Sequence, residues 1–286
     1  KKLEEQKVIE QYITLFDYAS FGYQGYKVLL MLNRLKTEQI ECFRKALQTH
    51  SAVLSIEELS GHWDYMVVFA TKNASHCNKE LHDLLAQFPK LIKNYIVLTN
   101  VVSYNFQRRY LTNSSAHSGV TIFGGDRTFA KLERIEKKLV KDLYEDPVIM
   151  YSHLAAKHKI NPKTIISKIK KLETKGIIKG YSAVIDCYKY NYFPQKIFLK
   201  LDNLSIEKEE ECMNFCRQQK NILRVSKLFG QWDMEIELEM KDTRELQDFC
   251  THLRTNVGDI IRNVETCSVI KQHKIANLPL SFFLEK

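Results

Sequence analysis

Laid over itself at an offset of 169 residues, the 286-residue sequence aligns without a gap for about 110 positions. Lys1-Lys2-Leu3-Glu4 falls on Lys170-Lys171-Leu172-Glu173, Ile9 on Ile178, Tyr12 on Tyr181, Asp17 on Asp186, Tyr23 on Tyr192, and Gly61-His62-Trp63-Asp64 on Gly230-Gln231-Trp232-Asp233. A self-match this long marks a duplicated domain, not a stack of short solenoid units. The chain therefore has to build one fold twice, and a position that the two copies fill differently is the freer one.

The formal net charge is +9, and it is concentrated: between Lys131 and Tyr181 thirteen Lys and Arg stand against six Asp and Glu, an excess of seven. A patch of one sign on a small segment is the footprint of a polyanion partner. No apolar run approaches the length of a membrane span and the first residues are charged, so the chain reads as soluble and cytoplasmic, without a membrane partner.

The seven cysteines fit neither a disulfide framework nor a zinc site. Cys212 and Cys216 stand where the first copy has Phe43 and Leu47, Cys250 and Cys267 where it has Leu81 and Leu98, and Cys77 where the second copy has Leu246. In such positions a free thiol is a small hydrophobe. No zinc spacing, phosphate loop, nucleophile elbow or HExxH is present, so no metal, cofactor or catalytic residue is assigned.

Each copy reads strand, helix, strand, strand, helix, strand. In the first, strands are predicted at 27–32, 53–59, 65–71 and 92–102 and helices at 37–47 and 75–88, where Ile40, Phe43 and Leu47 share one face and Leu81, Leu84 and Leu85 another. The second copy opens with a strand at 196–201, and Ser60 to Asp64 reads as a hairpin. This order predicts a split βαβ, ferredoxin-like sandwich, one antiparallel sheet with both helices on one face. The other face needs cover, and two copies in one chain can pair through their open sheet faces.

Residues 112–126, rich in Ser, Thr and Gly and without a period, read as a linker. Three helices are predicted beyond it: 131–144, with Leu132, Ile135, Leu139 and Leu143 on one face and Asp146-Pro147 as its stop; 150–158; and 162–174, started by Asn161 and Pro162. Ile177, Ile178 and Tyr181 then begin a wing, completing a helix-turn-helix. At about 100° per residue, Ile165, Ile169 and Leu172 form the buried side of the third helix, and Lys163, Ser167, Lys170 and Thr174 point away, flanked by Lys171 and Ile166. Lysines neutralise phosphates or reach guanine edges, hydroxyls bond base edges, and an exposed Ile contacts a thymine methyl. Double-stranded DNA is the predicted partner, contacted by Lys163, Thr164, Ile166, Ser167, Lys168, Lys170 and Lys171.

These features resemble the Lrp/AsnC (feast/famine) transcription regulators. The likeness is carried by Leu132-Glu133-Arg134-Ile135-Glu136-Lys137-Lys138-Leu139, by Asn161-Pro162-Lys163-Thr164-Ile165, by the run 171–181, by the Gly-x-x-Asp hairpins at Gly61 and Gly230, and by the final strand 264–271. It implies an α+β fold, a winged helix-turn-helix flanked by two ferredoxin-like βαββαβ (RAM-type) domains. It also implies transcriptional control by a small effector such as an amino acid, bound where effector domains meet, with Gly61, Asp64, Thr99, Gly230, Asp233 and Ser268 as the implied positions. The corresponding layout is a winged-helix remnant at 1–12, effector and oligomerisation domains at 13–111 and 182–280, a linker at 112–130, the winged helix-turn-helix at 131–181 and a tail at 281–286.

Ordinary members carry one of each domain, so this chain resembles a tandem fusion, working as an intramolecular pseudo-dimer or as a homo-oligomer. Lys1 aligns with Lys170, well inside the third helix, so the first copy holds only that helix's end and a wing at 8–12. The expectation is a fragment of a longer protein whose upstream residues complete another winged helix-turn-helix. Siroheme decarboxylases resemble the same architecture, sometimes in tandem, and their chemistry would want convergent His, Arg and Tyr. Arg108, Arg109 and Tyr110 have no matching cluster in the second copy and His62 becomes Gln231, so the expectation is that the chain is not an enzyme.

Overall fold

The computed structural model describes residues 2–33, 37–111, 119–202 and 205–284. The first copy runs through α1 (Lys2–Glu5), β1 (Ile9–Phe16), β2 (Gln24–Leu32), α2 (Thr37–Thr49), β3 (Val53–Ser60), β4 (Tyr65–Thr71), α3 (Ala74–Ala86) and β5 (Ile92–Asn105). A short β6 (Thr121–Gly124) precedes α4 (Arg134–Glu145), α5 (Tyr151–His158) and α6 (Pro162–Thr174). The second copy holds β7 (Ile178–Ile185), β8 (Phe193–Leu201), α7 (Ile206–Gln218), β9 (Ile222–Phe229), β10 (Met234–Met240), α8 (Thr243–Val257) and β11 (Ile261–Ile275), and α9 (Ser281–Leu284) follows. No described helix is long and apolar enough to cross a membrane.

The two βαββαβ units join edge to edge. β3 pairs with β11 and β9 with β5, and because β5 also pairs with β2 the strands close in the order β2-β4-β3-β11-β8-β10-β9-β5. This corrects the expected face-to-face cover. An open sheet leaves unpaired N–H and C=O groups on its edges, and closure pairs them while turning both open faces into one interior. The joints obey the repeat, with Leu59 opposite Val269 and Ser60 opposite Ser268 at one, Leu228 opposite Asn100 and Phe229 opposite Thr99 at the other.

Barrel strands are thus covered on both faces, which is why β2 and β4 read as nearly unbroken apolar runs. Val28 and Leu30 pack outward with Phe43, Leu47, Leu81 and Leu84 of α2 and α3. Leu29 points inward to Trp63, Met66, Leu98, Phe198 and Trp232, residues of both copies. Over the second copy Ile197, Leu199, Ile236 and Leu238 pack with Cys212, Cys216 and Leu253. All seven cysteines are unbonded, and Cys77, Cys187, Cys212, Cys216 and Cys267 are buried.

The three helices α4 to α6 share a core of Leu139, Leu143, Leu154, Ile165, Ile169 and Leu172, to which the first copy adds Phe16 and Phe21. Thr14 Oγ1 donates to the Leu143 carbonyl at 2.7 Å. The segment expected to be a tail packs here as well: the Phe282 ring lies 4.6 Å from Phe21 and Phe283 4.9 Å from Tyr144, while 285–286 lie outside the described residues.

β1 and β7 pair with each other as a two-stranded antiparallel ribbon, Thr14 opposite Tyr181. The boundaries drawn at 12/13 and 181/182 therefore cut through strands that run on to Phe16 and Ile185, because pairing between the copies sets their length. Of the expected linker, 112–118 lies outside the described residues, and Thr121–Gly124 is a strand on Val102 to Asn105. Backbone pairing to an available edge needs no side-chain period.

The repeat extends into the first residues. Tyr12 donates to Glu4 at 2.7 Å as Tyr181 does to Glu173 at 3.2 Å, so α1 is the counterpart of the last turn of α6. The Asp17 N–H donates to the Ile177 carbonyl at 3.1 Å and, in mirror fashion, the Asp186 N–H to the Val8 carbonyl at 2.9 Å. Leu172 is wholly buried, whereas its equivalent Leu3 is 51% exposed, since no described element covers it as α4 and α5 cover Leu172.

Candidate nucleic-acid interface and effector positions

Asn161 Oδ1 accepts from the Lys163 N–H at 2.9 Å and Pro162 occupies the first turn, so α6 starts where cap and proline direct it. Its Ile165, Ile169 and Leu172 are buried, and Lys163, Thr164, Ser167, Lys170 and Thr174 are exposed. Two of the lysines expected to touch DNA face elsewhere. Lys168 lies 2.7 Å from Glu133, and Lys171 lies 3.0 Å from Glu133 and 2.9 Å from Glu136, at the start of α4. Hydrogen bonds from Lys168 and then Lys171 hold the Glu133 carboxyl down at about 2. Ile166 is half-buried rather than open to solvent. Buried Asp142 of α4 takes Lys157 at 2.8 Å and His158 of α5, fixing the helix before the turn.

The six effector positions gather in two clusters, one at each joint of the barrel. Gly61 (φ +134°) sits against Thr266 and Cys267, beside Ser268, and Gly230 (φ +145°) against Val97 and Leu98, beside Thr99. Each hairpin thus rests on the last strand of the other copy. The aspartates stitch their own sheets: Asp64 Oδ2 accepts from the Leu32 N–H at 2.6 Å and Asp233 Oδ2 from the Leu201 N–H at 2.8 Å, and Asp233 also takes Lys200 at 2.9 Å. A Cβ on Gly230 would meet Leu98 Cδ2 at 2.9 Å in a backbone region L-residues avoid. Gly230→Ala is expected to cost about 1–3 kcal/mol, read as a lower urea midpoint; an unchanged midpoint would show that the joint tolerates the methyl group.

The barrel interior holds charges that sequence periodicity does not reveal. Lys27 and Lys196, equivalents in the repeat, both point inward. Lys196 is wholly buried, with Glu57 at 3.0 Å, Glu235 at 3.0 Å and Glu237 at 3.2 Å. Lys27 donates to Glu235 and, at 3.0 Å, to Ser226, while Arg224 lies 3.4 Å from Glu237. Burial alone would push Glu235 up, but Lys196 and then Lys27 overcome it and hold the carboxyl at about 2. A lysine repeated in the middle of two apolar strands is the signal in the sequence that points to them.

Arg108, Arg109 and Tyr110 are anchors in this structure. Arg108 grips both oxygens of Glu239 at 3.0 to 3.3 Å, and Tyr110 donates to the same carboxylate and stacks on Tyr192 at 4.3 Å. Arg109 donates to the carbonyls of Arg217 and Gln219 at 2.5 and 2.7 Å. Together they clamp the end of β5 onto the second copy.

Residues 27–105 match the Lrp/AsnC ligand binding domain. The chain is 26% identical over 143 residues to the HTH-type transcriptional regulator FL11 of Pyrococcus horikoshii, a match covering 50% of this chain and 92% of that protein. An uncharacterized HTH-type transcriptional regulator of the same organism is 25% identical over 153 residues, 53% of this chain and 99% of its own length. Among solved structures, the siroheme decarboxylase NirDL superposes with a TM-score of 0.63 over 97% of this chain and 81% of its own, at 12% identity. Its complex with an iron-uroporphyrin III analogue gives 0.64 at 11% identity. These two likenesses are of fold, and they correct one expectation: an architecture that serves an enzyme across its whole length does not set this chain apart from enzymes. Residues 27–105 are an Lrp/AsnC ligand binding domain, and the chain is a relative of the Lrp/AsnC transcription regulators.

Proposed function

We propose that the protein is a sequence-specific, DNA-binding transcription regulator of the cytoplasm. In this reading α4 to α6 and β7 form a winged helix-turn-helix, α6 is the recognition helix, and the tandem βαββαβ units are the effector and oligomerisation platform, responding to a small effector such as an amino acid. The observation that carries it is the exposed face of α6, where Lys163, Thr164, Ser167, Lys170 and Thr174 stand opposite a fully buried aliphatic stripe. That face belongs to the segment holding seven of the nine excess positive charges. Lysines there neutralise phosphates and set affinity, and the hydroxyls read base edges. HTH-type regulators among the relatives support the same reading. One chain closes the barrel by itself, which favours an intramolecular pseudo-dimer over pairing of the barrel units between chains.

The test is a selection of bound duplexes from random DNA, followed by salt titrations of Lys163→Ala/Lys170→Ala on the selected site. Removing a lysine that neutralises one phosphate takes about 0.9 off the slope of log affinity against log salt. Lys168→Ala is expected to change it less, since Lys168 is held by Glu133. If the wild type enriches no sequence, or the double variant keeps both affinity and slope, the reading fails.

A further inference from the structure

Beside the segment that enters the three-helix unit, the first copy holds a cleft of about 250 Å³. Its walls are the turn after β1, Lys72 just past β4, and the loop from Gly124 to Phe129. Lys72 Nζ lies 3.8 Å over the Tyr23 ring and donates to the Phe21 carbonyl at 3.3 Å. Arg127 is anchored through Nε on the buried carboxylate of Asp17 at 3.1 Å. Two cations, Lys72 and Arg127, therefore line the cleft against one carboxylate, Asp126.

The repeat supplies an internal control. Tyr192 and Lys241 are the equivalents of Tyr23 and Lys72, and at that place in the second copy the chain supplies its own occupant: the Tyr110 ring stacks on Tyr192 at 4.3 Å. Arg108 and Tyr110 both end on Glu239, whose counterpart in the first copy is Ala70. A guanidinium and a phenol are held there by a carboxylate that the first copy lacks, and the first copy's cleft carries the opposite charge balance.

We propose that this cleft binds a small organic anion through a carboxylate held between Lys72 and Arg127. A planar carboxylate matches the guanidinium fork, and the organic part lies against Tyr18 and the exposed Phe129 ring. The ligand acts on the three-helix unit through the loop it touches. The Gly124 N–H donates to Asp17 at 3.1 Å, Lys179 of the ribbon lies 3.7 Å from the same carboxylate, and the Ala130 N–H donates to the Ser20 carbonyl at 2.7 Å. Drawing Arg127 toward a ligand weakens its hold on Asp17, where the loop, the ribbon and the first copy meet. The regulatory consequence rests on the regulator reading; binding in the cleft does not.

The test titrates the full chain calorimetrically with succinate, L-glutamate and inorganic phosphate at matched ionic strength. Succinate or L-glutamate is expected to bind, at least tenfold more weakly to Lys72→Gln than to wild type, with Lys72→Arg restoring affinity and the unliganded melting midpoint unchanged in both. Absence of binding by both organic anions, undiminished binding to Lys72→Gln, or binding of phosphate alone overturns the proposal. Duplex binding is measured on the same samples. Anion binding without duplex binding upholds the cleft and defeats the regulator reading, and duplex binding without anion binding defeats only the cleft.

Discussion

Lys196→Met is expected to lower the unfolding free energy by about 3–5 kcal/mol, because it strips the central cation from carboxylates that the barrel keeps out of water. Lys196 lies within 3.2 Å of Glu57, Glu235 and Glu237, and Lys27 and Arg224 cannot neutralise all three. Urea denaturation at neutral pH reads the loss; a change below about 1 kcal/mol would mean that water enters the barrel and screens the carboxylates. The pH dependence has a definite sign. Glu235 is held at about 2, below its ordinary 4.5, so the stability it contributes is complete above pH 4.5 and drains away as pH falls toward 2. In Lys196→Met that carboxyl loses the cation that most stabilises its charge, and the acid-induced loss over this window is expected to shrink.

A second large effect contrasts two leucines at one position of the repeat. Leu172→Ala is expected to cost about 2–5 kcal/mol, because the side chain is wholly enclosed by the three-helix core and a cavity is left behind. Leu3→Ala, at a site 51% exposed, is expected to cost less than about 1 kcal/mol. Paired thermal or urea melts compare them directly, and equal losses would show that Leu3 is covered in solution.

Much of the candidate interface was legible in the chain. Asn161-Pro162 announces the start of α6, and the spacing of Ile165, Ile169 and Leu172 decides which side of it is buried, so Lys163, Ser167 and Lys170 had to face out. What could not be read was the pairing of Lys168 and Lys171 with Glu133, because a helix wheel records directions and not the neighbour that folding brings alongside. The Gly-x-x-Asp hairpins were located correctly in sequence, but the part played by Asp64 and Asp233 in stitching Leu32 and Leu201 emerges only from backbone geometry.

β10 marks the limit of sequence patterning. Met234-Glu235-Ile236-Glu237-Leu238-Glu239-Met240 alternates like a strand with one wet face, yet Glu235 and Glu239 are buried. Alternation reports that two faces differ, not that the polar one meets solvent. By itself, the sequence determined that a βαββαβ unit occurs twice, that three helices follow the first copy, and which stripe of α6 is apolar, since each follows from local periodicity, capping and self-similarity. Only the tertiary structure decided that the units join by their edges into a barrel, that β1 and β7 pair across the copies, and that lysines and glutamates share the interior. Those outcomes depend on unpaired backbone edges and on opposite charges meeting between residues far apart in the chain, which no local pattern encodes.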